Sequence, residues 1–376
     1  MNTRQRLLSI LNHQLPDRIP WVPRLELWYN ARIKTHTMPS QWQGASLRQI
    51  ERDLKVGTPA RTGQVYQIRY EGVEIVTREE KRHSITEYVT PLGTLRQVTV
   101  ASQDLAEVGI QGLVKEHLLK TVQDYRVWEW IVEHMQVIPT YAEYQAYDRE
   151  IGEDGLPMVQ MQASPLWDFL EVLAGFEEAY YQLADYPAEV ERLLAVMTGV
   201  YRERLWPVVA ASPAQLILTD VHLGSQLTPP PLFRKYLLPY HLELSALLHR
   251  HGKKLAMHAD ADTSRILPLI ETAGWDMVEC FVTAPMAPVT IEQARQVWGE
   301  RMILWGGVPS VYLSPDMPEE QFHHYMANLF EAIAPGKAFI LGIADNAMPD
   351  SLIERVAWIS EFVEENGWVG KPTTEN

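Results

Sequence analysis

"KLAMHADADTSRILPLIETAGWDMVECF", residues 254–281, decides how the rest of the chain is read. It opens on an apolar run, Lys254 to His258, that breaks off into a histidine and two carboxylates, His258, Asp260 and Asp262. A helix-period stretch, TSRILPLIETAG, follows, and a second apolar run over 276–281 carries Glu279 and Cys280 near its end. Short apolar runs joined by amphipathic segments describe parallel strands buried on both faces, with helices covering the sheet.

The same alternation extends in both directions. It predicts strands at 158–162, 215–220, 254–258, 276–281, 302–307 and 338–343, and a further one in RIPWVP near the start. An eight-stranded TIM (β/α)8 barrel with one strand unread is the nearest architecture. No glycine-rich phosphate loop follows any of these runs, which argues against a doubly wound nucleotide-binding sheet. An N-terminal helix is predicted from about Thr3 to Asn12, ending before Pro16. Over residues 63–100 the pattern changes to two-residue alternation rich in Val, Ile, Thr and Tyr, punctuated by Gly72, Pro91 and Gly93. That stretch is expected to form a β-hairpin insert in a single domain spanning 1–376.

Composition narrows the partners. With 33 basic against 48 acidic residues, the formal net charge is −15. Nucleic acids and anionic membranes both require concentrated positive charge, so neither is expected as a partner. The opening MNTRQRLLSILNHQLPDRIP lacks the long apolar core of a signal peptide, and no run is long enough to span a bilayer, so a cytoplasmic location is expected. The single cysteine, Cys280, excludes an intramolecular disulfide and any metal site built from two cysteines of one chain.

Barrels of this type place their chemistry at the C-terminal ends of the strands. There the sequence sets Gln162 and Ser164; Asp220, His222, Ser225 and Gln226; His258, Asp260 and Asp262; Glu279 and Cys280; Gly306 and Gly307; and Asp345 with Asn346. Several strands thus aim polar groups at one face. Asp262, before Thr263 and an apolar helix, suits a cap, and Cys280 suits a small buried hydrophobe. His258 and Asp260 stand two residues apart beyond a strand and point the same way. With Asp345 they could hold a divalent metal such as zinc, manganese or iron through imidazole and carboxylate. Without a metal, His258 beside carboxylates could act as a general acid. Asp220 and His222 join His258 and Asp260 as candidate catalytic groups. Gln162, Gln226, Glu279, Gly306 and Trp28 are candidate substrate contacts, and Trp28 has plain packing as its alternative.

Over nearly its whole length the chain resembles the uroporphyrinogen decarboxylase superfamily, which includes cobalamin-linked methyltransferases. The resemblance is carried by TRQRLLSILNHQLPDRIP, by TEYVTPLGTLRQ, by LTDVHLGSQ through WDMVECF, by LWGGVPSVYL and by ILGIADNAMPDSLIERV. It implies a TIM barrel. Its decarboxylases carry an arginine-rich RQAGRY-type stretch where this chain has PRLELWYNARIKTH, with Arg24 and Arg32. Its methyltransferases hold zinc through a His-x-Cys pair and a later cysteine; His258 matches the histidine, Asp260 stands at the first cysteine position and Asp345 about where the second belongs. Carboxylates in place of thiolates make a harder site. The resemblance therefore implies a metal-dependent methyltransferase-like enzyme, working on a small methoxy or N-methyl substrate with a corrinoid carried by a partner protein. A homodimer is compatible with it. The competing expectations are a decarboxylase of a tetrapyrrole or other polycarboxylate, and a ligand-binding barrel without chemistry.

Overall fold

A computed structural model describes residues 1–102 and 112–369. Contacts divide the chain into two compact units: Met1–Gly63, Gln145–Gln160 and Ala214–Asn376 form the first, and Gln64–Tyr144 with Met161–Pro213 the second.

The first unit is built on a parallel six-stranded sheet. Its strands are β1 (Met158–Gln160), β2 (Leu216–Thr219), β3 (Lys254–His258), β4 (Met277–Phe281), β5 (Ile303–Pro309) and β6 (Phe339–Ala344), adjacent in chain order. The six apolar runs of the sequence are these six strands. Two shorter segments join the sheet's edges. Trp21 bridges Leu341 of β6, and Gly63 bridges Val159 of β1, both parallel. The Gly57 N–H in turn donates to the Trp21 carbonyl at 2.8 Å. The chain therefore forms a TIM-barrel-like α/β fold. The eighth segment, GTPARTG over 57–63, is the one that sequence periodicity does not reveal. It has no apolar run, contains Pro59, and is held by isolated bridges rather than a ladder.

The barrel interior is apolar. Val22, Met158, Leu216, Leu218, Ala256, Met277, Ile303, Trp305 and Ile340 form one cluster with Leu7, Ile10 and Leu11 of the helix Thr3–Leu11. Asn2 starts that helix by accepting from the Gln5 N–H while the Gln5 side chain accepts from Asn2, so two otherwise orphaned donors are satisfied. Its Leu7 and Leu11 are 2% and 3% exposed and meet Leu156, Leu216, Met277, Trp305 and Ile340. Each such side chain contributes about 1.5–3 kcal/mol through removal from water.

The second unit contains an antiparallel four-stranded sheet, Glu74–Glu80, His83–Thr90, Gly93–Val100 and Leu113–Glu116, and a two-stranded sheet pairing Tyr66–Tyr70 with Met135–Pro139. Among the described residues no helix is long and apolar enough to cross a membrane.

Candidate metal centre

Strand pairing sets the first two groups side by side. In the parallel pair β3–β4, His258 and Glu279 are register partners. Each lies two residues beyond a core residue, Ala256 and Met277, so the strand period turns both toward the barrel interior. His258 Nδ1 lies 2.5 Å from Glu279 Oε2, with both side chains buried. Glu279 also meets the guanidinium of Arg61, which stands in a turn of the bridge-held segment 57–63. Burial alone would raise the Glu279 carboxyl, but Arg61 and His258 hold it well below the usual carboxylate range. Burial would likewise depress His258, yet Glu279, Asp260 and Asp345 raise it well above an ordinary imidazole.

With Nδ1 engaged by Glu279, Nε2 faces the remaining donors. Asp345 Oδ1 is 3.4 Å from it and Asp260 Oδ2 is 3.6 Å. Cys280 Sγ is 3.7 Å from the same Asp345 oxygen. Burial pushes the Cys280 thiol up to about 12. Two triads, His222/His258/Asp260 and His258/Cys280/Asp345, each bring one donor atom per residue within 4.8 Å of one another. Both use His258, and only its Nε2 is unclaimed, so they are two flanks of one site.

The donors fit a metal ion. Tetrahedral zinc, with bonds of about 2.0–2.3 Å, sets its ligand atoms about 3.3–3.8 Å apart. The separations of 3.4, 3.6 and 3.7 Å fall in that range. Asp260 Oδ1 is buried with no hydrogen-bond partner among the described residues, an oxygen that a cation would satisfy. The Glu279 contact fixes the His258 ring as a carboxylate fixes a metal-bound histidine.

Cys280 was expected to be a small buried hydrophobe. It is buried, 2% exposed, but it also faces the cluster. Regular alternation would turn it away from Glu279. Instead the β4–β5 register shifts between Glu279 and Phe281, and Cys280 takes φ +58°. This bulge cancels the alternation and brings consecutive side chains to one site. No sequence signal marks it. Asp220 and His222 also adopt left-handed backbone, at φ +44° and +58°, unusual conformations that cluster at functional sites.

The other predicted residues have varied placements. His222 is exposed, with Nδ1 2.5 Å from Asp260 Oδ2. Asp220 lies beneath the mouth, its fully buried carboxylate 2.6 Å from His241 Nε2, and its carbonyl accepts from the His258 N–H at 3.2 Å. Asp345 is paired with Arg24. Asp262 accepts from the Ser264 N–H at 2.8 Å, a turn cap ahead of the helix Leu267–Thr272. Gly306 is a backbone requirement: at φ +150°, a Cβ there would lie 2.7 Å from the Phe281 carbonyl oxygen. Trp28 is 1% exposed and packs edge-on against Trp42, so packing is its visible role. Gln226 is exposed. Gln162 belongs to the second unit, where its amide donates to Asp168 at 2.7 Å. Arg61 was not singled out in the sequence, because the bridge-held segment that carries it was not.

A parallel α/β barrel with imidazole, carboxylate and thiol groups gathered at its strand ends defines a candidate metal-site protein of the TIM-barrel class. The chain belongs to the uroporphyrinogen decarboxylase (URO-D) family, whose model matches residues 112–366. Among solved structures it is similar to a methyltransferase from Methanosarcina mazei, with a TM-score of 0.58 and 15% sequence identity over 97% of this chain and 99% of that chain. At that identity the likeness speaks for the fold. No curated protein matches the chain.

Proposed function

We propose that this protein is a metal-dependent, methyltransferase-like enzyme of the URO-D family that moves a methyl group between a small substrate and a corrinoid carried by a partner protein. The observation that carries this reading is the ring of donors around His258 Nε2, with Nδ1 claimed by Glu279. His258, Asp345, Asp260 and Cys280 are the residues that would hold the ion. A bound divalent metal supplies Lewis acidity toward an oxygen or nitrogen that bears the methyl group. Glu279 fixes the His258 tautomer and Arg61 balances the Glu279 charge. His222, exposed and paired with Asp260, orients that carboxylate and stands where it could exchange a proton with a substrate. In this reading the 63–100 hairpins are an insert of one domain, and Gln226 edges the mouth. The methyltransferase likeness supports the reading at the level of fold.

The test is elemental analysis of the purified protein with its His258→Ala and Asp345→Ala variants. About one equivalent of transition metal, lost in both variants, is expected. A protein that stays metal-free after growth with added zinc would overturn the metal site. A decarboxylase is the second reading, favoured by the arginines beside the cluster, Arg24 on Asp345 and Arg61 on Glu279. It predicts turnover that survives chelation.

A further inference from the structure

A cavity of about 220 Å³ in the barrel unit is lined by Glu51 and Thr58, by Arg24, Arg48 and Arg61, and by Thr62 with apolar neighbours. Glu51 stands on the helix Leu47–Asp53 and is only 2% exposed. Its Oε2 accepts from the Thr58 hydroxyl at 2.6 Å. Among the described residues its Oε1 takes no hydrogen bond, and neither oxygen meets a cation within ion-pair distance. The cations around it are committed elsewhere. Arg48, one turn earlier on the same helix, holds Asp154 at 2.7 Å and the Ile151 carbonyl at 2.6 Å, and Arg52 holds the same Asp154. Arg61 is paired with Glu279 and Arg24 with Asp345, so the cavity wall and the donor cluster share these two side chains. A carboxylate taken out of water without a cation is costly enough that the group keeps its proton instead. Burial accordingly raises the Glu51 carboxyl from 4.5 to about 7, against the Thr58 hydrogen bond and Arg48 and with Asp154 adding to the rise. The other ionisable side chains of the lining are Glu26, exposed to solvent and screened by it, and Tyr147. A protonated carboxyl has one O–H to donate, and with Oε2 engaged by Thr58 that O–H belongs to Oε1. A buried donor without an acceptor is unfavourable, and here the acceptor can come from a molecule in the cavity.

We propose that Glu51 is a proton donor of the substrate site, an un-ionised carboxyl that offers its O–H to an oxygen of the small molecule occupying this cavity. The proposal deepens the methyl-transfer reading and rests on it for its reaction. When the bond between the methyl carbon and an ether oxygen breaks, its electron pair stays on the oxygen, and the methyl passes to the corrinoid, which supplies the electrons of the new bond. The oxygen takes the proton of Glu51 Oε1. Glu51 is left as a carboxylate, still accepting from Thr58, and regains a proton from solvent through the cavity.

The experiment is labelling of the purified full chain with dicyclohexylcarbodiimide, located by peptide mass spectrometry. The reagent takes the proton of an un-ionised carboxyl onto one nitrogen while the carboxyl oxygen bonds to its central carbon, and acyl transfer to nitrogen then makes the adduct permanent. Glu51 is expected to be labelled at pH 6, and at an initial rate about tenfold lower at pH 8, since these values lie one unit on either side of about 7. The exposed Glu26 at the rim is the comparison and is expected to stay unlabelled. Thr62→Trp narrows the cavity from an exposed position without touching the Glu51–Thr58 pair, and is expected to slow labelling at least tenfold. Methoxybenzene, a small ether, is expected to protect Glu51 in the wild type, and it decides the matter if Thr62→Trp does not fold. No adduct on Glu51 at pH 6, a rate that does not fall by pH 8, a rate unchanged in folded Thr62→Trp, or no protection by methoxybenzene would overturn the proposal. Metal analysis of the same samples separates it from the metal reading. Protected, pH-dependent labelling in a protein that holds no metal keeps the proton donor and removes the metal, and metal content with Glu51 unlabelled does the reverse.

Discussion

His258 and Glu279 are register partners on neighbouring parallel strands, and their side chains meet at 2.5 Å on the interior side of the barrel. The sheet ladder itself therefore sets the orientation of the imidazole. Glu279→Gln is expected to lower metal affinity about 10–100-fold, the usual effect of losing a carboxylate that orients a ligating histidine. Competition against a chromogenic chelator measures it. Unchanged affinity would mean that Nδ1 is held in some other way.

Cobalt substitution tests whether Cys280 is a ligand. A thiolate bound to Co(II) gives a charge-transfer band in the near ultraviolet that carboxylate and imidazole do not. The wild type is expected to show that band and Cys280→Ser to lose it. A protein that binds cobalt without the band would place the ion on the His222 and Asp260 flank.

Glu51 makes stability depend on pH. Its carboxyl is raised from 4.5 to about 7 by burial, so the folded state binds the proton more tightly than the unfolded chain does. That contribution is fully present below the unfolded value and is lost as pH rises through about 7. Relative to Glu51→Gln, the wild type is expected to lose about 3 kcal/mol between pH 4.5 and pH 8. Urea unfolding of both proteins across that range checks it, and parallel curves would contradict it.

Asp220 and His241 form a fully buried pair at 2.6 Å. Asp220→Ala is expected to cost about 3–5 kcal/mol, since it leaves a buried histidine without its partner. A thermal midpoint within a degree or two of wild type would refute that.

Gly306→Ala is expected to destabilise the barrel by about 1–3 kcal/mol, because the new methyl group meets the Phe281 backbone at a strained φ. Chemical denaturation would read it, and a neutral result would show that β4 and β5 can part there.

The legibility of the chain followed the hydrogen-bond ladders. β1 to β6 were readable because strands buried on both faces must be apolar, and their polar ends then stand out. His258, Asp260 and Asp345 were found in that way. Cys280 was read as a small buried group and is buried; that it also faces the cluster follows from a bulge that reverses the alternation on which such readings depend. Arg61 was missed because its segment, 57–63, is held by isolated bridges and needs no apolar run. Glu279 was read as a candidate substrate contact; its pairing with both His258 and Arg61 follows from spatial neighbours that sequence spacing does not encode.

The two bridge-held segments, around 18–22 and 57–63, are the seam of the barrel, and each carries one of the cavity's arginines at its end, Arg24 and Arg61. The histidine, thiol and carboxylates of the candidate metal site instead belong to the ends of the laddered strands β3, β4 and β6. The seam and the donor-bearing strand ends are thus stitched into the barrel with different thread. Substitutions along the seam can reshape the cavity wall while the donors at the laddered strand ends keep their spacing, which makes the seam the natural place to remodel this scaffold.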